Sequence, residues 1–296
     1  MNVLISVNEN YLDKAKTMLY SLALHNKEEL VVYFLNHSLS KEMVNEFRVY
    51  LKNVCNTTLI EINVKNTELD NMPLGELHFS IEMYYRVLAQ FILPKKLDRI
   101  LWLDADIIIL KDLYHFYHQD FDGKYYVVCA DRNYDSNSIS NINEKVGIDQ
   151  KHIYFNSGVM LMNLEQLRVK TSKDIIISTS NTLKKKLTYP DQDILNYIYC
   201  KNVKYADLVT FNYKVKDDDS IPAEMMQKIA ILHYCGSSKP WLYSDIKRSS
   251  LSYWQVRYRQ GYKNEAKNIY KNLIMDCLHR LVGLIKDYFQ LRKIND

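Results

Sequence analysis

Two aspartates one residue apart, Asp104 and Asp106, stand between the strand-like run Arg99-Ile100-Leu101-Trp102-Leu103 and a second apolar run, Ile107-Ile108-Ile109-Leu110. Alternate side chains of an extended chain share one face, so both carboxylates can point to one place while Ala105 turns away. Side by side they repel unless a cation sits between them, and hard divalent ions such as Mg²⁺ or Mn²⁺ prefer oxygen ligands. An ion held in this way can also grip two oxygens of a diphosphate and neutralise charge as that group leaves. A bare D-x-D is more often a solvated turn, but unpaired charges wedged between apolar runs would be costly.

A second constellation runs His233-Tyr234-Cys235-Gly236-Ser237-Ser238-Lys239-Pro240-Trp241. Gly236 lets backbone approach a phosphate closely. Lys239 adds a cation six residues after an imidazole that can complete a metal shell. A lone histidine at a strand end is more often a satisfied structural residue. The Gly and Lys that follow at this spacing favour the ligand reading.

Such residues need a scaffold that gathers distant positions. Short β-rich runs alternate with helical patterns: Val3 to Val7 then Tyr11 to His25, Val31 to Leu35 then Lys41 to Leu51, and Leu59 to Ile62, a loop, then Ile81 to Phe91. That alternation predicts a mostly parallel sheet flanked by helices. Arg99 to Leu103, Tyr125 to Ala130, Val159 to Met162 and Ile229 to His233 read as further strands, and Pro190 to Cys200 as a helix starting at a proline. Ligands in open sheets of this kind sit beyond the carboxyl ends of the strands, where the acidic pair and His233 both stand. Asp131 to Lys151, polar and rich in Asn and Ser, reads as a long mobile loop.

The chain has 296 residues, 47% hydrophobic and 25% charged, which suits a packed globular protein. Its five cysteines are scattered and form no C-x-x-C pair, so neither a disulfide framework nor a zinc knuckle is expected, and a reducing cytoplasm fits. The apolar run in Met1 to Val7 is too short for a signal peptide and reads as a first strand. No run of about 18 uncharged apolar residues predicts a spanning helix. Charge is unevenly spread. Residues 254 to 296 carry nine Lys or Arg against four acids, whereas residues 1 to 253 carry 30 basic against 31 acidic side chains. With no basic excess in the larger part, nucleic acid is disfavoured as a partner. The basic tail has an apolar stripe at 269, 273, 274, 277, 278, 281, 282, 285, 288 and 289, the pattern of an amphipathic helix.

Leu103-Asp104-Ala105-Asp106, Tyr154-Phe155-Asn156-Ser157-Gly158-Val159, Asp191-Gln192-Asp193 and the H-x-x-G-x-x-K-P-W segment from His233 occur in a telling order. It is the order seen in family 8 retaining glycosyltransferases, which the chain resembles over about residues 1 to 245. Within that family it is similar to the bacterial galactosyl- and glucosyltransferases of lipopolysaccharide and surface-glycan assembly. The resemblance implies an α/β GT-A fold, Rossmann-like with a mostly parallel mixed sheet. It would form a catalytic domain over 1 to 245, followed by a basic amphipathic helical region over 246 to 296.

The same resemblance implies a retaining transfer of galactose or glucose from UDP-galactose or UDP-glucose to a hydroxyl of a glycan or glycolipid acceptor. Asp104, Asp106 and His233 would bind Mn²⁺ or Mg²⁺. Ser6, Val7, Asn8, Tyr11 and Ala105 would cradle the uridine, and Gly236 with Lys239 the diphosphate; Asn8 stands where relatives often have Asp. Arg86, Asp104, Asn156, Asp191 and Gln192 would contact the donor sugar. Gln192, with Asp191 and Asp193, would serve catalysis, Gln192 as a polar stabiliser on the opposite face of the sugar and Asp193 as a less favoured covalent partner. His78, Asp131 and Tyr189 would line the acceptor side.

Bland readings stand beside these. Taken alone, Arg86 reads as a surface helix residue, Asn156 as a turn cap and Asp191 as an acid favoured by a helix dipole. The basic tail reads as a monotopic anchor on the anionic inner face of a bacterial cytoplasmic membrane, or as a segment packed on the domain or on a partner. Two rival functions are a transferase acting on a protein acceptor and a catalytically silent glycan-binding relative. The latter would be expected to have lost a metal ligand, and none is lost here.

Overall fold

The computed structural model describes residues 1–64, 81–131, 142–215, 221–242 and 248–275. His78 and residues 276–296 of the tail lie outside the described residues. The chain forms two compact units, Met1–Lys214 with Glu224–His233, and Val215–Ala223 with Tyr234–Asp296.

Among the described residues the first unit holds ten strands: β1 (Asn2–Ile5), β2 (Val31–Asn36), β3 (Thr58–Asn63), β4 (Arg99–Leu103), β5 (Ile107–Ile109), β6 (Tyr126–Ala130), β7 (Phe155–Asn163), β8 (Val203–Tyr205), β9 (Tyr213–Lys214) and β10 (Ile231–His233). Seven form one sheet in the order β3-β2-β1-β4-β7-β6-β8. Its β3-β2-β1-β4 half is parallel. β7 runs antiparallel to both β4 and β6, so the sheet is mixed, as the resemblance implies. Burial of both faces explains the apolar runs: Val3, Leu4, Val32, Phe34, Ile100, Leu101 and Met160 are all fully buried.

Helices cover this sheet. α1 (Glu9–His25) follows β1, α2 (Lys41–Cys55) follows β2, and α3 (Tyr85–Ile92) follows a 3₁₀ turn at Ile81–Tyr84. Ser40 caps α2 by accepting from Met43 N at 3.3 Å. The two faces of the sheet bury two apolar clusters. One is built on Phe34, Phe47 and Leu101, the other on Trp102, Tyr84 and Tyr126.

Two differences from the sequence reading bear on the site. Ile107–Ile109 is not an isolated apolar run but strand β5 of a second sheet, ordered β5-β10-β9. The stretch read as one long loop is partly helical, with residues 142–146 forming a short helix. Few as its aliphatics are, Val146 and Ile148 are buried, and fully buried Asn143 donates to His152 O at 2.8 Å, which is enough to fold it.

In the second unit, Trp254 Nε1 donates to Pro240 O at 2.8 Å and Tyr234 OH to Ser249 O at 2.9 Å. Helix Leu251–Gln260 ends at Gly261, whose φ of 112° suits glycine. Residues 263–275 are helical, with Ala266 and Ile269 buried and Ile274 exposed. Among the described residues no helix is long and apolar enough to cross a membrane.

Candidate active site

The sheet topology explains how residues far apart in sequence meet. Asp104 follows β4, and its backbone N–H donates to Gly158 O on β7 at 2.9 Å. The next strand, β5, pairs antiparallel with β10, setting His233 opposite Ile107 and so one residue from Asp106. One ligand atom from each of Asp104, Asp106 and His233 lies within 4.8 Å of the others. His233 Nε2 stands 3.2 Å from Asp106 Oδ1 and 3.9 Å from Asp104 Oδ2. Two carboxylates and an imidazole form a donor set that suits a divalent metal ion.

Space at this point is kept by a missing side chain. A Cβ on Gly158 would lie 2.2 Å from His233 Cε1 and 2.7 Å from Asp104 Oδ2. Only glycine leaves both ligands where they are.

A cleft of about 290 Å³ opens beside the cluster, lined by Ser6, Val7, Asn8, Tyr11, Glu82, Met83, Arg86, Asp104, Ala105 and Asp106. The turn after β1, the 3₁₀ turn and the end of β4 therefore share one cavity. All five residues expected to cradle a nucleoside, Ser6, Val7, Asn8, Tyr11 and Ala105, lie on its wall. Glu82 and Met83 line it too and carry no motif that sequence reasoning could use. Asn8 precedes α1 without capping it through its side chain.

Arg86 is no surface residue. It is 8% exposed, and its Nη2 lies 2.8 Å from Asp104 Oδ1 while its Nε lies 3.2 Å from Asp191 Oδ2. Its Nη1 donates to Ser157 O at 2.9 Å, and the guanidinium stacks 4.5 Å above the Trp102 ring. Burial works against this charge, but Asp104 and Asp191 overcome it and hold the pKa of Arg86 above its ordinary value. Burial pushes the Asp191 carboxyl up, Arg86 pulls it back, and Asp104 adds repulsion; the balance stays above the usual range. The Arg86 guanidinium thus tethers a carboxylate of the Asp104, Asp106 and His233 cluster to the start of the helix Pro190–Tyr199.

Gln192, Asn156 and Asp131 form the adjoining wall. Gln192 Oε1 accepts from Ser157 N at 2.9 Å and from Asn156 Nδ2 at 3.1 Å, while its Nε2 donates to Asp131 Oδ2 at 3.2 Å. Lys214 Nζ lies 3.3 Å from the other Asp131 oxygen. Asn156 is therefore a bridge in the middle of a polar network, and its Oδ1 also accepts from Gly158 N, two residues on, at 3.0 Å, as a turn-capping Asn does. Tyr189, half-buried, immediately precedes the same helix.

Asp193 differs from its neighbours. Wholly buried, it accepts from Thr188 N at 2.6 Å and Tyr189 N at 2.9 Å, and Tyr154 OH donates to its second oxygen. Burial raises its pKa, and those three hydrogen bonds only partly offset the rise. These contacts fasten the helix start and engage both carboxylate oxygens of Asp193. Gly236 and Lys239 belong to the second unit. Gly236 has φ 84°, and Lys239 Nζ donates to Tyr234 O at 2.7 Å.

Gly158 and Asn212 escaped sequence reasoning as well. Gly158 was visible only as a motif letter. Asn212, 4% exposed, accepts from His233 Nδ1 at 2.8 Å, and its one sequence signal is a polar residue between the aromatics Phe211 and Tyr213.

Known proteins similar to this chain include glycosyltransferases. A lipopolysaccharide 1,2-glucosyltransferase of Escherichia coli is 28% identical over 296 residues, covering 92% of this chain and 85% of its own. Its counterpart in strain K12 is 26% identical, over 96% and 88%. The fold matches that of a galactosyltransferase, LgtC, solved with donor and acceptor sugar analogues, at a TM-score of 0.74 and 21% identity over 86% of this chain and 95% of that one. The model of glycosyl transferase family 8 matches residues 2–245, so this chain, a GT-A glycosyltransferase, belongs to that family.

Proposed function

We propose that the chain is a metal-dependent retaining hexosyltransferase that moves galactose or glucose from a UDP-sugar to a hydroxyl of a lipopolysaccharide or other lipid-linked surface glycan. The observation that carries this reading is the convergence of Asp104, Asp106 and His233 at the edge of the cleft formed by Ser6, Asn8, Tyr11 and Arg86. The family and the lipopolysaccharide glucosyltransferases among its relatives support it.

In this reading Asp104, Asp106 and His233 hold Mn²⁺ or Mg²⁺. When bound, that ion neutralises charge on the diphosphate as its bond to the sugar breaks. Tyr11 offers an aromatic face to the base, and Ser6, Val7, Asn8 and Ala105 enclose the nucleoside. Gly236 and Lys239 serve the diphosphate, Lys239 as a point charge. Arg86 and Asp191 take the hydroxyls of the donor sugar beside Asp104. Asn156 and Gln192 stand along its far face, Gln192 as a dipole that stabilises positive charge at the anomeric carbon without forming a bond. Asp131, Tyr189 and His78 receive the acceptor. Residues 1 to 245 carry the reaction, and the basic segment 254 to 296 rests on the anionic inner face of the cytoplasmic membrane, where a lipid-linked acceptor would be met.

Hydrolysis of a UDP-sugar panel with and without Mn²⁺ tests the reading, because slow hydrolysis needs no acceptor. Cleavage of UDP-glucose or UDP-galactose that requires metal is expected, and Asp106→Ala should abolish it. Near wild-type cleavage by that variant at low Mn²⁺ would overturn the metal assignment.

A further inference from the structure

We infer that Asn212 is a positioning residue. It fixes which ring nitrogen of His233 faces the carboxylates, and it ties that choice to the wall formed by Asn156 and Gln192. The inference rests on the metal reading above, and it follows from the direction of a chain of hydrogen bonds.

The direction is set at groups that can act in only one sense. Asp131 is an acceptor: Lys214 Nζ lies 3.3 Å from Oδ1, and Oδ2 receives Gln192 Nε2 at 3.2 Å. Gln192 must therefore turn its carbonyl the other way. There a backbone donor, Ser157 N–H, meets Oε1 at 2.9 Å and confirms the orientation. Asn156 Nδ2 donates to the same Oε1 at 3.1 Å, which leaves Asn156 Oδ1 to accept. A second backbone donor, Gly158 N–H, meets that oxygen at 3.0 Å. Asn212 Nδ2 then donates to Asn156 Oδ1 at 2.9 Å, so Asn212 Oδ1 must accept. Its partner at 2.8 Å is His233 Nδ1, which must carry the hydrogen.

Amide and imidazole orientations are ordinarily assigned from such networks. Here two backbone N–H groups and one carboxylate orient both amides and make His233 Nδ1 a donor. Nε2 is thereby the ring nitrogen presented to Asp104 and Asp106, as a metal ligand needs, 3.2 Å from Asp106 Oδ1. Asn212 is buried and lies between the helix Leu208–Phe211 and β9, its backbone N–H donating to Leu208 O at 3.1 Å.

Two substitutions separate its two hydrogen bonds. Asn212→Asp keeps an acceptor for His233 Nδ1–H but can no longer donate to Asn156. Asn212→Leu removes both bonds at similar volume. Two readouts are used on the full chain, Mn²⁺ affinity measured by electron paramagnetic resonance without nucleotide, and the ¹⁵N chemical shifts of the His233 ring without metal. Asn212→Leu should weaken Mn²⁺ binding by about ten- to a hundredfold and lose the signature of a hydrogen-bonded Nδ1–H. Asn212→Asp should bind Mn²⁺ within about threefold of wild type and keep that signature, while metal-saturated UDP-sugar hydrolysis falls by about tenfold. The proposal is overturned if Asn212→Leu binds Mn²⁺ like wild type, or if Asn212→Asp loses metal as Asn212→Leu does. A wild-type chain that binds no Mn²⁺ would instead sink the metal reading itself.

Discussion

Replacing Gly158 with alanine is the sharpest test of the metal cluster, because the added atom is small and its collisions can be read directly. The new Cβ would sit 2.2 Å from His233 Cε1, 3.0 Å from His233 Nε2 and 2.7 Å from Asp104 Oδ2. Non-bonded carbons rest at about 3.5 to 4.0 Å, so the imidazole would have to retreat by more than about 1 Å. His233 is 2% exposed and tied to Asn212 through Nδ1, so it has nowhere to swing without breaking that bond. Metal–ligand distances tolerate only about 0.2 Å, so two of the three ligands would leave range together. The backbone of Gly158 carries no positive φ, and alanine suits its place in β7. Overpacking should then cost about 1–3 kcal/mol of stability. Gly158→Ala should therefore remain folded by near-ultraviolet circular dichroism while its Mn²⁺ affinity, by titration calorimetry, drops by about a hundredfold or more. A folded Gly158→Ala that bound Mn²⁺ with wild-type affinity would refute the placement of these side chains.

Asp193→Ala strands two backbone N–H groups and the Tyr154 hydroxyl, so it should lower stability by about 2–5 kcal/mol in urea unfolding. Asp193→Asn, which can still accept from the backbone, should lose far less and keep hydrolysis. An inactive but fully stable Asp193→Asn would return this residue to chemistry. Arg86→Ala leaves Asp104 and Asp191 facing each other without their shared cation and should cost about 3–5 kcal/mol. Arg86→Lys, a point charge that cannot span both carboxylates, should fall between that variant and wild type. Equal thermal midpoints across the three would show the ion pairs to be absent in solution. Full-length protein should float with anionic liposomes more than a chain ending near Ser252, and equal flotation would remove the membrane role of the tail.

Local pattern made much of the scaffold legible. β4 lies where the apolar run Arg99 to Leu103 places it, and the alternation of strands and helices through β3 gives the parallel half of the sheet. What stayed hidden depends on pairing between distant segments. Ile107–Ile109 and Ile231–His233 are each three residues long, and nothing in either letter string says that they pair, yet that pairing carries His233 to Asp106. Arg86 misled for a related reason. An arginine in a helix usually reaches solvent, and only the tertiary fold brings Asp104, Asp191 and Trp102 around this one.

Asp191 and Asp193 show the limit most plainly, since they are alike in type and sit two residues apart in one motif. Side chains two apart on a helix do not face the same way. One therefore meets Arg86 and Ser157 at the cleft, and the other turns back to hold Thr188, Tyr189 and Tyr154. A motif can say that both acids matter, but helical geometry divides the work between them. The same division explains why Gln192, lying between the two, can reach Asp131 with its amide nitrogen and Ser157 N–H with its oxygen. The first turn of that helix thus presents a charged contact, a dipole and an internal fastener in succession. Loosening the fastener would misplace the other two before it touched any chemistry.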